Sequence, residues 1–156
     1  MSPLTAITRE DLDKFKFKVT SRVMMSHTDQ EGIVNNISYF TYFEIGRFEY
    51  FRNLGMTLSD IKKQNTGMAM VESSCKFVAP LFFDDVIEIF VRIDYLGDSS
   101  FHIEYVIVAP ERDLVVAHGH TVSVFLDTHT RKAKLIPHAF RERVVAFEGD
   151  SNIRAK

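Results

Sequence analysis

The stretch SYFTYFEIGRFEYFRNL, residues 38–54, decides the fold. Tyr39, Tyr42, Phe43, Gly46, Tyr50 and Leu54 recur three and four residues apart, the spacing of one helix face. Phe40 and Phe51 widen the stripe until it covers roughly half of the helix circumference. That is broader than a helix lying flat on a surface requires, so the pattern predicts a helix covered on several sides. Gly55 supplies the stop signal.

The flanking sequence supplies the cover. Upstream, FKFKVTSRVMM (residues 15–25) alternates, with Phe15, Phe17, Val19, Val23 and Met25 on one side and Lys16, Lys18, Thr20 and Arg22 on the other. Downstream, TLSDIKKQN (57–65) reads as a short second helix. Four strand-like segments then follow at 68–80, 84–97, 99–110 and 114–127, separated by turn signals such as LGDSS and PERD. In the second of these, Ile87, Ile89, Val91, Ile93 and Tyr95 face one way, and Glu88, Arg92 and Asp94 the other. A sheet with one apolar face needs a covering layer, and the aromatic helix is the only long one available. The expected class is α+β, an antiparallel sheet curled around one central helix. PHAFRERVVAFE (137–148) is a terminal helix or a last strand.

At 156 residues the chain suits one well-buried core and is too short for two ordinary domains, so one domain over 1–156 is expected. Its ends, 1–12 and 149–156, are polar and are expected to be poorly ordered. Lys and Arg total 19 against 21 Asp and Glu, which argues against nucleic acid as the main partner. No apolar run approaches the roughly 18 residues of a membrane span, and the start lacks the apolar block of a secretory signal. A cytoplasmic, membrane-free protein is expected. The single cysteine, Cys75, agrees with a reducing compartment and reads as an inert thiol on a strand.

Ahead of the helix lies SHTDQEGIVNNISYF, residues 26–40, with one acid, Asp29, in a loop before the Asn35–Asn36 pair. Taken alone, Asp29 and Asn36 are turn and N-cap residue types. In context, HTDQEGIVNNISYFTYFEIGR resembles the signature of hotdog-fold acyl-CoA thioesterases of the 4-hydroxybenzoyl-CoA thioesterase type. CKFVAPLFFDDVIEI is similar to that family's strand, proline turn and acidic strand entry. GHTVSVFLDTHTRKAKLIP resembles its closing strand. The resemblance runs from about Phe15 to Pro137. It implies a dimer or tetramer with sites at subunit boundaries, cleaving CoA or acyl carrier protein thioesters without a metal. The only coenzyme implied is the CoA of the substrate. Residue by residue, it assigns the catalytic acid to Asp29 and the carbonyl-polarising backbone N–H to Asn36 or its neighbour. Met25, Ile33 and Asn36 stand where some branches carry Tyr, His and His, so the match is to members that use the aspartate and the helix end alone.

The chemistry is consistent with that assignment. A thioester needs a nucleophile or base on one side of its carbonyl and stabilisation of oxyanion charge on the other. Asp29 attacks directly or takes a proton from water. The free first-turn N–H groups at Asn36, Ile37 and Ser38 carry the positive end of the helix dipole. Gly32 allows close backbone approach to substrate. Tyr39, with Phe40, Tyr42 and Phe43, is a candidate wall of an acyl or aryl pocket. Glu44 is spaced to pair with Arg47, with positioning of water as its alternative role. Ser73 and Ser74 are candidate donors to a ring hydroxyl or the pantetheine arm, and Arg131, Lys132 and Lys134 candidate partners of CoA phosphates. His118 and His120 share a strand face, and two ligands without a third make a thin case for zinc. His27 lies on the side of Asp29 if the strand continues that far. Two alternatives stay open: a non-catalytic hotdog module that binds CoA thioesters, and a carrier-protein thioesterase of a biosynthetic pathway.

Overall fold

A computed structural model describes residues 7–154. The elements run α1 (Arg9–Leu12), β1 (Phe17–Arg22), α2 (Asn36–Asn53), α3 (Leu58–Ile61), β2 (Thr66–Phe77), β3 (Val86–Leu96), β4 (Ser100–Ala109), β5 (Leu114–Asp127) and α4 (His138–Glu148). The strands form one antiparallel sheet in the order β1-β3-β4-β5-β2. The sheet curls around α2, as the width of the aromatic stripe requires. Tyr42, Phe43, Tyr50 and Phe51 are fully buried against Ile87, Ile89, Val91 and Ile93 of β3. Each such side chain contributes about 1.5–3 kcal/mol on leaving water. Gly46 permits the close crossing, because a Cβ there would lie 2.7 and 2.8 Å from the Ile89 and Val91 methyls. The segment 137–148 is a helix. Its Phe140 packs on Phe51, Phe101 and Phe125, closing the far end of the core.

Three local expectations are corrected. The first strand stops at Arg22, and the chain turns through a 3-10 helix, Met25–His27, leaving Met25 64% exposed. A bulge between Ile93 and Tyr95 then breaks the alternation of β3, so Leu96 is buried and Tyr95 turns outward against His102. Among the described residues the ends also carry structure. Thr8 closes a capping box on α1, and Asp150–Asn152 form a 3-10 turn, while residues 1–6 and 155–156 lie outside the described residues. The N-terminal segment crosses the outer face of the sheet, where Ile7, Leu12 and Phe15 meet Phe90, Val106, Val108 and Val115. None of the described helices is long and apolar enough to cross a membrane.

Burial isolates one acid. Glu148 at the end of α4 is wholly buried, with Oε1 accepting from Tyr50 Oη at 2.7 Å and Oε2 without a hydrogen-bond partner among the described residues. Loss of hydration raises its pKa above the ordinary carboxyl value. A carboxyl whose folded pKa is raised supports the fold fully below its unfolded pKa, and that support is lost as pH rises through the folded one. Glu148→Gln should therefore melt like wild type near pH 4 and be about 1–3 kcal/mol more stable at pH 8. A stability difference that does not change with pH in thermal melts would refute this.

Candidate active site

The loop between β1 and α2 is held by backbone geometry at both of its sides. Thr28 bridges Val34, Ile33 bridges Phe82, and Val34 N donates to Leu81 O at 2.9 Å. Gly32 has φ +78°, and a Cβ there would meet nothing within 4 Å. The positive φ fits glycine at this turn, and the space beside it is open within the chain.

Asp29 is exposed, and its two oxygens do different things. Oδ1 accepts from Glu31 N at 2.8 Å and Ile33 N at 3.2 Å, the bonds of an Asx turn. Oδ2 makes no hydrogen bond among the described residues. The turn thus orients the carboxylate and leaves one oxygen for chemistry, so turn residue and reactive acid are compatible readings.

The helix cap is Asn35, not Asn36. Asn35 Oδ1 accepts from Ser38 N and Ser38 Oγ, each at 3.0 Å, and its Nδ2 donates to His27 O. One expectation changes with this: the Ser38 N–H is occupied by the cap. The N–H groups of Asn36 and Ile37 stay unpartnered among the described residues, both on exposed residues at the positive end of an 18-residue helix.

Other candidates are distributed differently from the sequence reading. Tyr39 is 3% exposed, packed edge-on to Tyr42 and Phe77, and burial raises its hydroxyl pKa. It belongs to the core, whereas Phe40 beside it is 38% exposed. Glu44 faces solvent and forms no ion pair with Arg47. Arg47 instead donates to Tyr105 Oη at 3.2 Å, and Tyr105 is bonded to Thr121. Ser73 and Ser74 point to opposite faces, because strand side chains alternate: Ser73 opposes buried Thr121, and Ser74 opposes His120 on the outer face. Arg131 and Lys132 are exposed in the turn after β5, and Lys134 is engaged by Gln64 O and Thr66 Oγ1. The full length of β5, roughly 40 Å of strand, separates that turn from the Asp29 loop within one chain. Cys75 packs against the core, and burial pushes its thiol up to about 11.

Residues 23–144, from the end of β1 into α4, match the model of the thioesterase-like superfamily. The chain belongs to that superfamily. Among relatives of this thioesterase-like chain, the acyl-acyl carrier protein thioesterase ATL3 of Arabidopsis thaliana is 25% identical over 83% of this chain and 68% of its own. The acyl-CoA thioester hydrolase YbgC of Escherichia coli is 24% identical over 78% of this chain and 90% of its own. A solved gentisyl-coenzyme A thioesterase superposes with a TM-score of 0.71 at 29% identity, covering 80% of this chain and 99% of that one.

Sequence reasoning gave His27 too small a part in this thioesterase-like fold. Its carbonyl accepts from Asn35 N, Asn35 Nδ2 and Ser38 Oγ. Its Nδ1 meets Tyr42 Oη at 3.0 Å and Met24 N at 3.3 Å. His27 therefore ties the Asp29 loop to the start of α2. The signal was present as a His eight residues before an Asn cap, and the strand assumed to continue through it obscured the 3-10 turn.

Proposed function

We propose that this thioesterase-like chain hydrolyses the thioester of an acyl- or aryl-coenzyme A. The observation that carries the reading is that one pinned loop carries an Asp29 oxygen and leads into two N–H groups, at Asn36 and Ile37, all three without a partner among the described residues. Asp29 acts as nucleophile or general base, and the helix start receives the oxyanion. Exposed Ile37 and Phe40 offer apolar surface for the acyl group. Water and the chain's own groups supply the chemistry, in a cytoplasmic setting.

The site is completed in a homodimer. Of the two sheet edges, β1 is short and carries Lys18 and Arg22, whereas β2 is 12 residues long and exposes Met70, Val71 and Phe77. Long apolar edges invite pairing and charged ones resist it. Antiparallel pairing of two β2 strands would bring the Thr66 end of a second copy beside the Phe77 end of the first. The 128–132 turn of that second copy, with its arginine and lysine, would then approach the Asp29 loop and meet the CoA phosphates.

A panel of acyl- and aryl-CoA thioesters, each compared with the same acyl group on a carrier protein, tests the reading. Expected are turnover at CoA thioesters and sedimentation as a dimer or dimer of dimers. Binding without turnover across the panel would leave a non-catalytic module. Faster cleavage from the carrier would move the substrate to the class named for the Arabidopsis relative. A monomer with full activity would remove the second copy from the site.

A further inference from the structure

The outer face of the sheet, turned away from α2, carries a second constellation. Ser74 of β2 and His120 of β5 are directly opposed, so their side chains rise on the same face. Neighbouring Gly119 faces inward, where a Cβ would lie 3.0 Å from the Phe43 ring, so His120 points away from α2. A bulge between Met70 and Glu72 reverses the alternation of β2 and turns Glu72 and Ser74 outward together. Ser74 Oγ lies 2.9 Å from His120 Nδ1, and His120 Nε2 lies 2.6 Å from Glu72 Oε1. A carboxylate can only accept, so Nε2 carries the proton and Nδ1 presents its lone pair to the Ser74 hydroxyl. The order serine, imidazole, carboxylate is that of a hydrolytic triad, with the two ring nitrogens exchanged relative to the serine-protease arrangement.

A cavity of about 670 Å³ opens over Ser74 and His120. Its cations Arg92, Arg154 and Lys14 are paired with Glu104 or Asp94. Lys76, two residues along from Ser74 on the same face and also lining the cavity, has no ion pair among the described residues.

We propose that Ser74, His120 and Glu72 form a nucleophilic ester-hydrolysing site on the outer face of the sheet, with Lys76 selecting carboxylic esters that carry a negative charge. As Ser74 Oγ bonds to the ester carbonyl carbon, its proton passes to His120 Nδ1, and Glu72 holds the imidazolium. The bond from carbonyl carbon to the leaving alkoxide breaks, and the alkoxide takes the proton from His120. Water enters by the same route, releases the acid and restores the serine.

The test is covalent and independent of thioester turnover. Intact protein is treated with a fluorophosphonate, which loses fluoride to an activated serine, and the adduct is located by peptide mass spectrometry. One adduct on Ser74 is expected, at the same rate in wild type and Asp29→Ala. Ser74→Ala should abolish it, and His120→Gln should slow it about 100-fold. In the Asp29→Ala protein, hydrolysis of a nitrophenyl ester bearing a carboxylate should disappear on adding Ser74→Ala. No adduct, an adduct elsewhere, or an unchanged rate in folded His120→Gln, checked by its melting curve, would overturn the proposal. Loss of thioester turnover in Asp29→Ala with labelling intact keeps the two sites distinct.

Discussion

Asp29→Asn should lower kcat for the best CoA thioester by about 10³-fold while leaving the melting temperature nearly unchanged. The asparagine is the informative replacement because Asp29 has two functions on two atoms. Its Oδ1 closes the turn by accepting from Glu31 N and Ile33 N, and an asparagine oxygen accepts those bonds equally well. What asparagine removes is the charge and the nucleophilicity of Oδ2. Asp29→Ala removes both functions, so it should lose at least as much activity and also loosen the loop. If Asp29→Asn kept more than a tenth of wild-type kcat, Asp29 would be a turn residue and the base would have to be sought elsewhere. In a single turnover in ¹⁸O-water, label in the Asp29 carboxylate identifies the acid as the nucleophile, through an anhydride that water opens at the Asp29 carbonyl, whereas label in the product alone places the water attack at the acyl carbon.

The architecture was legible because the signals for it are local and periodic. Four downstream strands and the aromatic helix fall close to their expected positions, since apolar spacing reports which face is buried, and 137–148 takes the helical of its two readings. Errors gathered where the period breaks. The bulge at Ile93/Tyr95 reversed the facing expected for Tyr95, and the early end of the first strand left Met25 exposed. A single inserted residue leaves no compositional trace but moves every later side chain to the other face. The candidate site was legible as a loop leading into a helix start, and less so in its hydrogen bonds. Asn35 and Asn36 are the same residue type one position apart, and only the hydrogen bond from Ser38 N identifies which is the cap. The Glu44–Arg47 spacing suited an ion pair, but Arg47 reaches the buried Tyr105 hydroxyl instead, a tertiary partner that helical spacing alone cannot reveal. The Ser74–His120–Glu72 chain joins residues up to 48 apart in sequence and depends on the β2–β5 register, which no local pattern fixes.

The second large effect is expected at Asn36, through its backbone. A donor N–H cannot be removed by changing an ordinary side chain, and most positions would not tolerate the proline that removes it. Asn36 is an exception because it opens α2, where the N–H has no intrahelical partner and a proline ring is accommodated. Asn35 before it has φ −70° and ψ 154°, in the extended region that a residue preceding proline prefers. Asn36→Pro should therefore fold normally while deleting one oxyanion donor. The expected loss is about 3–4 kcal/mol of transition-state stabilisation, roughly 10²–10³-fold in kcat, with little change in KM. Asn36→Ala keeps the N–H and removes a side chain that bonds to nothing among the described residues, so it should stay near wild type. Equal losses in the two variants would assign the effect to the side chain. Wild-type kcat in a folded Asn36→Pro protein would leave the Ile37 N–H as the donor, because Ser38 N is already held by the cap.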